Sequence, residues 1–108
     1  MLNTQTGTPY YASPEVWKDL PYDSKSDIWS AGCVLYEMCM GHPPFMALGM
    51  DQMYLKVTRG SYKKLSSGFS NDLAKVVWWM LQVNPKDRPS CKQLLSSACV
   101  LRNMPQDF

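Results

Sequence analysis

The chain has 108 residues, 45% of them apolar, and a length of that kind buries about two-thirds of its unfolded surface in one domain or less. Charged residues make up 19% and the formal net charge is +2, with Lys63-Lys64 the densest basic pair, so no basic stripe for nucleic acid or a membrane surface is present. No basic run followed by an apolar core opens the chain, and the longest apolar stretch, Ile28 to Met40, is short for a membrane span and contains Ser30 and Glu37.

In chain order, Met1 to Ala12 has no helical period and is rich in Thr, Gly, Pro and Tyr, which predicts an irregular loop. A short helix follows. Ser13 suits its N-cap, Pro14 its first turn, where no amide donor is needed, and Glu15 places negative charge where the helix dipole favours it. Lys18 to Lys25 reads as a connecting loop. The next helix is expected from Ser26 or Asp27 to about Met40, with Gly41 just past its end and Pro43-Pro44 forbidding continuation. Apolar residues occupy every face of it, which predicts burial in the middle of a core.

Three amphipathic helices complete the pattern. Met50, Met53, Tyr54 and Val57 follow i, i+3, i+4, i+7 spacing before Gly60. Leu73, Val76, Val77, Met80 and Leu81 repeat it behind Ser70 or Asn71, and Asn84-Pro85 is expected to close that helix. Cys91, Leu94, Leu95 and Ala98 repeat it again, with Ser90 and Gln93 in capping-box register. No two-residue alternation is long enough for a strand, so the predicted class is all-α, with a frayed tail from Arg102 to Phe108. Cys33, Cys39, Cys91 and Cys99 have no metal-binding spacing and lie among apolar residues, predicting buried, reduced thiols and a cytoplasmic protein, with nuclear or cytoskeletal association as alternatives. His42, the single histidine, sits in a turn with no catalytic companion, and no metal site is expected.

Three motifs in order carry a family resemblance: Gly7-Thr8-Pro9-Tyr10-Tyr11-Ala12-Ser13-Pro14-Glu15, then Asp27-Ile28-Trp29-Ser30-Ala31-Gly32, then Asp87-Arg88-Pro89. The chain resembles the helical C-lobe of a eukaryotic protein kinase, preceded by the end of the activation segment. Lys25-Ser26-Asp27-Ile28-Trp29 and Cys33-Val34-Leu35-Tyr36-Glu37-Met38 look most like NIMA-related (NEK) serine/threonine kinases. The resemblance implies residues 1–98 as a partial kinase domain and 99–108 as a tail. It implies an ion pair between Glu15 and Arg88, 73 positions apart, clamping the activation segment to the helical base. It also implies that Gly7, Thr8, Pro9, Tyr10, Tyr11 and Ala12 receive the substrate residue next to the phosphoacceptor, in protein substrates phosphorylated on Ser or Thr. Thr4, Thr6 and Thr8 are candidate phosphorylation sites. Asp27, Trp29 and Gly32 are expected to support the catalytic loop. Val34 and Met38, where the family's apolar columns run toward the nucleotide, must face something else or water.

The complete family domain uses ATP and Mg2+. Phosphoryl transfer requires a Gly-rich loop, a strand Lys with its Glu partner, an H-R-D loop and a D-F-G Asp. None of these occurs here, so no catalytic, cofactor-binding or metal-binding residue is assigned. The 108-residue chain alone is expected to be inactive and to bind neither ATP nor Mg2+, its natural partner being the amino-terminal part of a kinase domain. The alternatives are a non-catalytic protein-binding module and a degenerate remnant.

Overall fold

A computed structural model describes residues 8–102. Six helices follow in order: α1 (Pro14–Trp17), α2 (Ser24–Met40), α3 (Met50–Arg59), α4 (Asn71–Met80), α5 (Cys91–Ser96) and α6 (Ala98–Arg102), with a 3-10 turn at Pro85–Asp87. No strand occurs among the described residues, in keeping with the all-α class.

Helix α2 starts earlier than the sequence suggests. The Asp23 carboxylate accepts from the Lys25 amide at 2.9 Å, and the Ser26 hydroxyl accepts from the Asp23 amide at 3.3 Å, so a reciprocal cap forms upstream of the expected start at Ser26 or Asp27. Its other end behaves as expected. Gly41 adopts φ 82° and its amide reaches the Glu37 carbonyl, a left-handed exit that suits glycine.

The core forms where α2 meets α3, α4 and the loop between α2 and α3. Trp29, Cys33, Tyr36, Phe45, Met53, Val57, Val77 and Leu81 pack into one buried cluster. Phe45 stacks on Trp29 with ring centroids 5.3 Å apart, and Tyr62 meets both Phe45 and Tyr36 edge-on. Gly32 lets α2 and α4 approach closely: a Cβ there would lie 2.8 Å from the Met80 Cβ and 3.1 Å from a Leu81 methyl. The expectation that α2 is enclosed on all sides fails. Ala31, Val34 and Met38 are exposed, Met38 at 78%, because no element of the described chain packs over that side.

The other helices follow their patterns in part. In α3, Met53 and Val57 are buried while Tyr54 leans out against the edge of Trp17 on α1. Ser70 caps α4, its hydroxyl accepting from the Leu73 amide at 3.1 Å. That helix ends at Met80, before Asn84-Pro85; the Asn84 side chain instead accepts from the Lys86 amide and opens the 3-10 turn. Ser90 and Gln93 form the expected capping box.

The single helix expected from Cys91 to Ala98 is broken at Ser97, which is extended (ψ 146°) and whose hydroxyl accepts from the Val100 amide. A second cap has won over continuation. Cys91 and Leu95 are exposed instead of facing inward, and α6 runs from Ala98 to Arg102. The expectation of buried thiols holds for Cys33, Cys39 is half-buried, Cys91 contradicts it, and the Cys99 side chain lies outside the described residues. Among the described residues, no helix is long and apolar enough to cross a membrane.

Candidate functional site

Glu15 and Arg88 meet across the fold. Arg88 Nη1 donates to Glu15 Oε2 at 2.7 Å and Nη2 donates to Oε1 at 2.8 Å, a two-pronged pair in which Glu15 is only 6% exposed and Arg88 1%. The remaining donors of the guanidinium are also engaged. Nε donates to the Gln82 carbonyl at 2.7 Å, Nη1 to the Lys25 carbonyl at 2.9 Å and Nη2 to the Val83 carbonyl at 3.0 Å. All five N–H groups of the fork are therefore satisfied, the condition under which a buried cation is tolerated. Its flat face lies over Trp29, 5.0 Å from the ring centroid.

The carboxylate has its own support. Ser26, in the first turn of α2, donates its hydroxyl to Glu15 Oε2 at 2.7 Å. Burial by itself would raise the Glu15 carboxyl, but the hydrogen bonds from Arg88 and Ser26 outweigh it and bring the pKa down to about 2. Lys25 closes the ring by donating to the Arg88 carbonyl at 2.5 Å. Helix α1, the start of α2 and the chain after α4 are thus joined at one buried charge pair.

Just upstream, Thr8 to Ala12 turn sharply: the Tyr10 amide donates to the Thr8 carbonyl at 3.0 Å and the Ala12 amide to the Pro9 carbonyl at 3.3 Å. Two contacts fasten this turn to α2. Ser30 donates its hydroxyl to the Tyr11 carbonyl at 2.8 Å, and the Tyr11 hydroxyl donates to the Glu37 carboxylate. The Glu37 bond holds the Tyr11 proton and raises its pKa. Beneath the turn lies an open, largely apolar depression of about 410 Å³, lined by residues 8–13 together with Val16, Tyr22 and Ser30.

The expected site residues are distributed unevenly. Thr8, Pro9, Tyr10, Tyr11 and Ala12 share the depression, whereas Gly7, Thr4 and Thr6 lie outside the described residues. Asp27 is exposed in the first turn of α2. Trp29 is fully enclosed between Phe45 and Arg88, and Gly32 abuts α4, so these two sit within the core, on sides of α2 other than that of Asp27. Sequence reasoning alone assigns no site role to Ser26, Lys25, Ser30 or Glu37. For Glu37 a signal existed, a single carboxylate inside the apolar run of α2; for Lys25, which acts through a backbone carbonyl 63 positions away, none did. Among the described residues, no three His, Cys, Asp or Glu side chains converge on a metal-sized site.

Comparison with known proteins agrees with this geometry. The protein kinase domain model matches residues 1–100. Human serine/threonine-protein kinase Nek5 is 43% identical over 95 residues, which cover 88% of this chain and 13% of Nek5. Mouse serine/threonine-protein kinase Nek3 is 47% identical over 92 residues, covering 85% of this chain and 18% of Nek3. Mouse Nek1 is 39% identical over 104 residues, 96% of this chain but 9% of Nek1. The chain spans less than a fifth of the length of each of these relatives. On the buried Glu15–Arg88 pair, the all-helical architecture and these matches, the chain belongs to the protein kinase domain family and carries C-lobe sequence similar to that of the Nek kinases.

Proposed function

We propose that residues 1–98 serve as the activation-segment end and helical base of a Nek-type serine/threonine protein kinase, an enzyme that phosphorylates protein substrates on Ser or Thr. The observation that carries this reading is the Glu15–Arg88 pair, which fixes the exit of the Thr8–Ala12 turn to the helical base. In phosphoryl transfer, positioning of the acceptor supplies much of the catalysis, and a turn held at both Tyr11 and Glu15 is suited to that task. The apolar depression under Pro9, Tyr10 and Tyr11 is where the substrate residue beside the acceptor would rest. Thr8, with Thr4 and Thr6, is a candidate for regulatory phosphorylation, which would add about −1.5 to −2 charges beside this turn. The unpaired thiols of Cys33, Cys39 and Cys91 suit a reducing compartment, and we place the protein in the cytoplasm.

In the family ATP supplies the transferred phosphoryl group and Mg2+ neutralises its charge. The residues of this chain do not fit that pair. No Gly-rich loop, H-R-D or D-F-G occurs in the 108 residues, and the acid with the most built-up surroundings, Glu15, is committed to Arg88. The role assigned to these residues is therefore to present substrate to groups carried on other kinase sequence.

A graft tests the assignment. Residues 1–98 exchanged for the matching stretch of an active Nek kinase should give a chimera that phosphorylates a serine peptide, and Glu15→Gln in the chimera should sharply reduce that activity. The 108-residue chain by itself should transfer no phosphate and show no Mg-ATP affinity by titration calorimetry. A folded but inactive chimera, or transfer by the chain alone, would refute the reading.

A further inference from the structure

Trp78, on α4, is 59% exposed, although it is among the largest apolar side chains of the chain. On one side of it, Tyr62, Leu65, Ala74 and Val77 line a groove of about 280 Å³ between α4 and the stretch after α3. On its other side, Val76 and Trp79 line a second depression of about 300 Å³ near Ser97. Trp78 and Lys75 border both, and Lys64 borders the first. No acidic side chain lines either one, and among the described residues neither Lys64 nor Lys75 is held in an ion pair. Neither depression shares a residue with the one beneath the Thr8–Ala12 turn.

We propose that this surface docks a short acidic segment of a partner protein, with an aromatic or aliphatic anchor against Trp78 and flanking carboxylates on Lys64 and Lys75. The volume lies at or just below the lower end of ligand sites, which suits one or two anchoring side chains and not a cofactor. An exposed Trp flanked by apolar hollows has the make-up of an interface hot spot, and the lysines select by charge, drawing acidic segments and repelling basic ones. A symmetric second copy is a poor occupant, since it would bring the lysines of two identical faces together. The proposal is independent of the substrate-presenting role given to the Thr8–Ala12 turn, and it is tested by binding alone.

The experiment is display of short random peptides against the 108-residue chain, followed by titration of the recovered peptides as fluorescein conjugates. The expected yield is sequences with an aromatic or aliphatic residue next to Asp or Glu. Trp78→Ala should weaken their binding by about 30-fold or more. Lys75→Glu with Lys64→Glu should weaken it about tenfold and flatten its salt dependence. Trp78 is exposed, so circular dichroism of the alanine variant should match the parent, and Trp78→Phe should retain most of the affinity. Recovery of no such sequences, selection of basic peptides, or binding indifferent to Trp78→Ala would overturn the proposal. So would a Trp78-dependent dimer in sedimentation, which would give the face to a second copy, or peptide binding that arises only on removal of residues 103–108, which would give it to the chain's own end.

Discussion

Arg88 shows how one side chain organises this fold. Its five donors reach one carboxylate and three backbone carbonyls, and removing the guanidinium would take the counter-charge from that carboxylate and a hydrogen bond from each carbonyl. Glu15→Gln leaves the cation buried without a counter-charge, an imbalance that costs about 3–5 kcal/mol. Urea unfolding should therefore show a lower midpoint at unchanged slope. Arg88→Lys keeps the charge but offers three donors where five are used, so it should also destabilise, and an unchanged midpoint for either variant would contradict the assigned role. The same pair sets a pH dependence. The folded Glu15 carboxyl titrates at about 2 and the free one at 4.5, so the stabilisation is fully present above pH 4.5 and is lost as pH falls through 2. The amount is about 3 kcal/mol, and a Glu15→Gln chain should lack that portion of the acid-induced loss when both are unfolded at stepped pH.

Helix α2 owes its position to Gly32 as much as to its large side chains. A methyl at this position would lie 2.8 Å from the Met80 Cβ, an atom next to backbone that cannot swing aside, so α2 and α4 would have to separate. Gly32→Ala raises helix propensity by about 1 kcal/mol, yet overpacking of a tight crossing costs about 1–3 kcal/mol, and net destabilisation is expected. A thermal melt above the parent would show that the crossing relaxes more easily than this geometry allows. Much of each helix was legible in sequence because caps and periodicity are local: Ser70, Gly41, Gly60 and the Ser90–Gln93 box all act where they were read. What misled was local as well. Asp23 is the cap and Ser26 its N3 partner, where the sequence suggests a start at Ser26 or Asp27, and Ser97 adds a second cap inside a pattern that reads as one helix. The start of α2 and the break between α5 and α6 follow from these side chains accepting from the Lys25 and Val100 amides. The Glu15–Arg88 pair was legible only through the order of distant motifs, since nothing near either residue announces its partner.

Asp27, Ala31, Val34 and Met38 follow spacings of 4, 3 and 4, so they form one stripe along α2, and all four are exposed. Beside them Tyr11 and Glu37 tie the Thr8–Ala12 turn to the same helix, which makes this face continuous with the candidate site. Three of the four are apolar, and an apolar stripe of this kind on the longest described helix of a small domain is a surface prone to association. The chain should therefore self-associate through α2. Full burial of a side chain such as Met or Val is worth about 1.5–3 kcal/mol, so Met38→Lys with Val34→Gln should weaken association by about tenfold or more. Because both side chains point to solvent, the double variant should unfold at close to the parent's urea midpoint, which separates a surface effect from a folding defect. Sedimentation velocity across a concentration series reads the first quantity, and binding of a hydrophobic dye reports the stripe directly. A parent chain that stays monomeric throughout, or one whose association ignores the double variant, would mean that α2 is not the sticky face.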